Sequence, residues 1–200
     1  MRKIFITMIT ISLLSSCVYT KMTHLNEDDL EWMSSYEKGD FAIFESKNNM
    51  DTVIITDKDI HNSLDPFMQN EGSNEYIAGG NFELQLRHQG KIHTGYFSIS
   101  KEKRKGPVRI KGQLCERYGL GYNNQALPLK YSKVIIAGRI LKDCMVIDKS
   151  NSDIGGDVKD SIGVKNFVWS KSKGLVKYEL NNGDIYYLTK VSHPIKRVGI

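Results

Sequence analysis

The chain contains none of the compact motifs that announce a reaction. There is no His-Glu-x-x-His, so the usual zinc-hydrolase helix is excluded. There is no Gly-x-Ser-x-Gly elbow, no phosphate-cradling Gly-rich loop and no Cys-x-x-Cys pair. Cysteine is scarce, at three in 200 residues. Beyond residue 16 no apolar run reaches the ~18 residues that span a bilayer, so no transmembrane helix is expected. A charge excess is also missing. The formal net charge is +5, and +3 without Arg2 and Lys3. The one dense basic run is Lys101-Glu102-Lys103-Arg104-Lys105, which reads as a solvated turn between strands. A basic stripe interleaved with stacking aromatics is absent, so nucleic acid is not an expected partner.

What is present begins at the N-terminus. Arg2 and Lys3 form a positive segment, Ile4 to Leu14 an apolar stretch of 11 residues, and Leu14-Ser15-Ser16-Cys17 closes it. The stretch is too short to span a bilayer and suits a signal peptide. The closing tetrad resembles a lipobox. That resemblance implies cleavage before Cys17 and acylation of its sulfur and new amine. One acyl chain binds a membrane reversibly, and several hold it stably. Residues 1–16 are thus expected to be a lipoprotein signal, 17–25 the lipidated Cys17 and a tether, and 26–200 a single domain. No cofactor is expected. Partners are the membrane through lipid on Cys17, and an envelope protein or small ligand.

The domain should be mainly β. Asn26 is a good N-cap, with Glu27, Asp28 and Asp29 in the first turn. Leu25 and Leu30 fit a hydrophobic staple. Leu30, Met33 and Tyr36 recur at helical spacing up to Gly39, which predicts one short helix over Glu27 to Glu37. After Gly39 the pattern alternates with period 2 between turn signals. Phe41 to Phe44 and Thr52 to Ile55 flank a polar turn. Phe82, Leu84 and Leu86 lead to a turn at Gln89-Gly90. Asn182-Gly183 between Tyr178-Glu179-Leu180 and Ile185-Tyr186-Tyr187 is the strongest hairpin signal. About eight to ten antiparallel strands are expected, in a sandwich or a partly open barrel.

Candidate sites are few. With Cys17 taken by lipid, Cys115 and Cys144 remain. A bridge between them is permitted in an oxidising compartment, and two small buried or half-buried thiols on strands are the plainer reading. His88 and His93 flank the Gln89-Gly90 turn and could share a metal with Glu83, yet two histidines without an evident third ligand are more often surface residues. Ser170 to Lys173 has the Ser-x-x-Lys spacing of serine acyltransferases, on a strand end where a helix is needed. Asp148 to Asp157 offers oxygens for Ca²⁺ but misses the EF-hand spacing, and reads better as a solvated loop. Tyr118, Tyr122, Trp169, Tyr178, Tyr186 and Tyr187 could form a sugar- or lipid-binding face, although alternation explains most of them as core. No residue is put forward as catalytic or metal-binding.

The lipobox, the Lys/Asn/Ile-rich composition and the pattern Phe167-Val168-Trp169-Ser170, Gly174 to Glu179 and Gly183 to Tyr186 together resemble the small uncharacterised lipoproteins of Bacteroidota. The resemblance implies O-glycosylation at Asp-Ser/Thr-apolar sites, here Thr52 and Ser161. It also implies a cell-envelope location on the periplasmic face of the outer membrane, because Val18-Tyr19-Thr20-Lys21 lacks the acidic run of surface-exported relatives. The expected role is a non-catalytic binding or assembly module. The alternative is a glycan- or peptidoglycan-acting hydrolase, with its carboxylates gathered from distant strands.

Overall fold

A computed structural model describes residues 21–61, 75–102, 106–115, 121–123, 131–136, 138–148, 150 and 163–193. One helix, α1 (Glu27–Glu31), precedes an antiparallel sheet of 11 strands. Its strands are β2 (Phe41–Glu45), β3 (Met50–His61), β5 (Ala78–His88), β6 (Lys91–Lys101), β7 (Arg109–Leu114), β8 (Gly121–Asn123), β9 (Ser132–Ile136), β10 (Arg139–Asp148), β11 (Val164–Ser170), β12 (Gly174–Leu180) and β13 (Ile185–Ser192). Outside it, β1 (Lys21–Met22) pairs in parallel with β4 (Glu75–Tyr76). Among the described residues no helix is long and apolar enough to cross a membrane.

The sheet order is β8-β7-β6-β5-β3-β2-β13-β12-β11-β10-β9. Two meanders, one from each half of the chain, thus join where the last strand pairs with the first, Tyr187 opposite Glu45 and Ser192 opposite Phe41. Six strand spacings separate β6 from β11, or ~29 Å in a flat sheet. Yet Phe97 of β6 stacks on Trp169 of β11 with ring centroids 3.9 Å apart. The sheet therefore wraps around its own core as a partly open barrel. The inward face is packed with aromatics: Phe44, Phe82, Phe97, Phe167, Trp169, Tyr178 and Tyr186 are all buried.

The turns follow their sequence signals. Gln89 and Gly90 both take positive φ (47° and 77°), as the two-residue turn between β5 and β6 requires. Gly183 (φ 90°) turns β12 into β13. The three strands beyond the upper expectation are the short edge strand β8 and the β1–β4 pair.

Helix α1 is shorter than its apolar spacing predicts. The Asn26 side chain accepts from the Asp29 amide at 2.8 Å, and the Asp29 carboxylate accepts from the Asn26 amide at 3.0 Å. The N-terminus is thus a capping box. The helix stops at Glu31, where the Ser34 hydroxyl donates to the Glu31 carbonyl at 2.7 Å. Such bonding competes with helix propagation. Trp32, Met33 and Tyr36 lie beyond the helix and plug one end of the barrel. Gly80 and Gly174 make room for the plug. A Cβ on Gly80 would meet Met33 at 3.0 Å, and one on Gly174 (φ +73°) would sit 2.2 Å from the Tyr36 ring.

The plugged end also buries charge. Lys101, expected in a solvated turn, is 3% exposed and pairs with Asp29, itself 6% exposed. Lys171 pairs with Asp28 and Glu31 of α1. The residues at 103–105 lie outside the described ones.

Candidate functional site

The opposite end of the barrel holds a buried polar cluster. Asp51 is the second residue of β3, His88 ends β5, Tyr178 and Tyr186 lie on β12 and β13, and Cys115 follows β7. Alternation explains why these residues point inward. Asp51 shares the inward parity of Val53 and Ile55, and His88 that of Leu84 and Leu86. Asp51 is 1% exposed and His88 3%. One Asp51 oxygen accepts from Tyr178 Oη, and His88 Nδ1 lies 2.8 Å from it. Tyr178 stacks on Tyr186 at 4.8 Å, and His88 meets the Tyr186 ring edge-on at 5.8 Å. Burial and the Asp51 carboxyl raise the Tyr178 hydroxyl well above the usual phenol range. Asp51 Oδ1 and His93 Nε2 are buried without a hydrogen bond among the described residues.

Cys, His and Asp are the residue types of a thiol hydrolase, but their arrangement here is not that of one. Burial, with the Asp51 carboxyl adding to it, pushes the Cys115 thiol up to about 12. A nucleophilic cysteine needs the reverse shift. No hydrogen bond joins Cys115 to His88 among the described residues. Asp51 instead ties β3 to β5 and β12 across the interior.

A second feature is a groove of about 330 Å³ on the outer face of the sheet. Register builds it. Tyr96 stands opposite Glu83 and Gln113, and Thr94 opposite Gln85. Thr56 joins the lining at the β3 bulge between Ile55 and Asp57. One carboxylate, two amides, two hydroxyls and a phenol ring share this surface. It can take hydrogen bonds from a polar ligand around an aromatic contact.

The residues singled out in the sequence fall as follows. Cys17 and Ser161 lie outside the described residues. Thr52 is on β3 between Ile43 and Arg87, half-buried, while Asp51 of the same tripeptide points inward. Cys115 and Cys144, the candidate pair, are both free and buried. Cys115 belongs to the interior core and Cys144 to a second apolar cluster with Val168 and Val176. The sheet separates them, because Cys144 has the parity opposite to inward-facing Met145 and Ile147. His88 and His93 share a face diagonally, His93 being opposite Leu86. Glu83 has the other parity and cannot join them, so the carboxyl at His88 is that of Asp51. Among the described residues no group of three or more His, Cys, Asp or Glu is placed to hold a metal ion.

Ser170 Oγ donates to Asp143 at 2.9 Å and accepts from the Lys173 amide at 3.1 Å, which is turn bonding rather than nucleophile activation. Asp148 accepts from the Ser150 amide at 2.8 Å, and 151–162 lie outside the described residues. Trp169, Tyr178 and Tyr186 are core, so they form no exposed platform. The side chains of Tyr118 and Tyr122 lie outside the described ones.

Sequence reasoning passed over Asp51 and the Asp29–Lys101 pair. The signal for Asp51 was a charged residue at an inward parity position. Comparison with protein families, with curated proteins and with solved structures finds no match to this chain.

Proposed function

We propose that this chain is a lipid-anchored, non-catalytic binding module of the cell envelope. Acylated Cys17 holds it on the periplasmic face of the outer membrane, and the outer-face groove takes a polar, sugar-like ligand. The observation that carries this reading is the groove lining. Glu83, Gln85, Thr94 and Gln113 offer both donors and acceptors beside Tyr96, a combination that suits hydroxyl-rich ligands with an apolar ring face. The lining contains a single carboxylate, whereas glycoside hydrolysis by the common mechanisms needs two, about 5–10 Å apart.

Titration of the chain with soluble glycan fragments of the envelope tests the proposal. Binding should be saturable, and Tyr96→Ala should weaken it at least about tenfold. Binding that ignores both Tyr96→Ala and Gln85→Ala sinks the groove. Turnover of the glycan that disappears in Glu83→Gln would establish the hydrolase instead.

A further inference from the structure

We infer that the β9–β10 hairpin is a second membrane contact, laying Ile135 and Ile140 on an anionic bilayer at the end of the barrel where the Cys17 tether emerges. This rests on the lipid-anchored reading above.

The topology places hairpin and tether together. Thr23 Oγ1 donates to the Glu102 carbonyl at 3.3 Å, just past the end of β6, and α1 follows. The tether therefore leaves at the plugged end. Cys17 and Lys21 are four residue steps apart, a reach of at most ~14 Å. Tyr131, immediately before β9, stacks on Trp32 of the plug at 6.1 Å. On the other strand, β10 runs on past Cys144, the last residue paired with β11, to Arg139 at the same end.

The hairpin has two unlike faces. Val134, Ile136 and Leu141 pack into the outer apolar cluster with Val168 and Val176. The opposite face presents Ile135 and Ile140, directly paired across the strands and 67% and 61% exposed. Tyr131, 51% exposed, stands at the foot of β9. An exposed apolar pair on the hairpin at a sheet edge is a liability in water unless something covers it.

Charge selects what covers it. Ser132 to Ile136 and Arg139 to Asp143 contain Lys133, Arg139 and Lys142 against one acid, Asp143, whose carboxylate is taken up by Ser170 and Ser172. A second copy of the chain would bring like charges together. An anionic lipid surface would attract them while the isoleucines enter the interface.

Vesicle sedimentation tests this with the chain from residue 17 onward carrying Cys17→Ser. That chain cannot be acylated, and it contains every described strand. It should bind vesicles of roughly 3:1 phosphatidylethanolamine and phosphatidylglycerol, and bind neutral phosphatidylcholine much less. The Ile135→Ser, Ile140→Ser double variant should lose at least about tenfold in partitioning, with its melting temperature unchanged because both side chains are exposed. Lys133→Glu with Lys142→Glu should abolish the preference for anionic lipid. Equal binding by parent and double-serine variant overturns the proposal. So does a parent that dimerises through this face, with the serine variant monomeric in sedimentation velocity. Palmitate labelling of the full wild-type chain reads the anchor separately: absence of label removes Cys17 acylation and leaves the vesicle comparison to decide the hairpin.

Discussion

At the plugged end of the barrel Asp29 and Lys101 are buried against each other, and Asp29 also serves the capping box of α1. At the far end Asp51 and His88 are buried as deeply, yet Asp51 Oδ1 and the neighbouring His93 Nε2 have no hydrogen bond among the described residues. The plugged end sets a cation against an anion. The far end relies on one carboxyl oxygen shared by a phenol and an imidazole, roofed by aromatic rings. Buried polar groups are costly unless satisfied. Ser35 Oγ and Trp169 Nε1 at the plugged end also lack a hydrogen-bond partner among the described residues, so the contrast lies in the charged groups: the plugged end sets its carboxylate against a cation, and the far end leaves one carboxylate oxygen unmet.

The largest test of that contrast is Trp169→Ala. Trp169 stacks on Phe97 and touches the Tyr36 and Phe82 rings, so its loss opens the core beneath the plug. Urea denaturation should show about 3–5 kcal/mol lost. Next comes Lys101→Met, which strands the buried Asp29 and should cost about 3–5 kcal/mol. Adding Asp29→Leu should return all but the capping share of about 1 kcal/mol. A double variant as unstable as the single one would mean that the pair is not what holds this end.

At the far end Asp51→Asn keeps the shape and weakens the acceptor shared by Tyr178 and His88. The expected loss is about 1–3 kcal/mol. A loss as large as that of Lys101→Met would erase the difference between the ends.

A smaller effect is a pH dependence. Burial, and to a lesser degree the neighbouring His88 and Lys91, hold the His93 imidazole below its ordinary range. The unfolded chain then takes up a proton before the folded one does. Stability conferred at neutral pH is lost as pH falls through the unfolded value of about 6.5 toward the lower folded one. His93→Gln should flatten the melting-temperature profile across that window, and an unchanged profile would clear His93 of the effect.

The smallest effect is one of reactivity alone. Burial raises both thiols, Cys115 to about 12 and Cys144 to about 11. Neither should react with a thiol reagent in the native protein. In denaturant without reductant both should label.

Much of the fold was legible residue by residue. Asn26, Asp29, Gln89-Gly90 and Asn182-Gly183 act locally, through caps and positive-φ turns that need only near neighbours. The strands were readable because alternation has the period of the pleat. Helix length was misjudged because Met33 and Tyr36 are apolar for the sake of the plug and not of a helix face. Lys101 was misplaced because a charged run reads as solvated unless its partner, 72 positions away, is known to meet it.

The sequence by itself determined a β-rich chain with a capped N-terminal helix and inward-facing apolar rows, since those features depend on contacts within a few residues. Which inward polar residues meet was decided only by tertiary structure. Asp51 reaches His88 across 37 positions and Tyr178 across 127, and only a sheet whose last strand pairs with its first brings them to one place. Register between neighbouring strands gathers the groove around Tyr96, and opposite faces of the sheet separate Cys115 from Cys144. The β9–β10 hairpin, with its exposed isoleucines, stands at the plugged end, where residues 21–25 lead into α1.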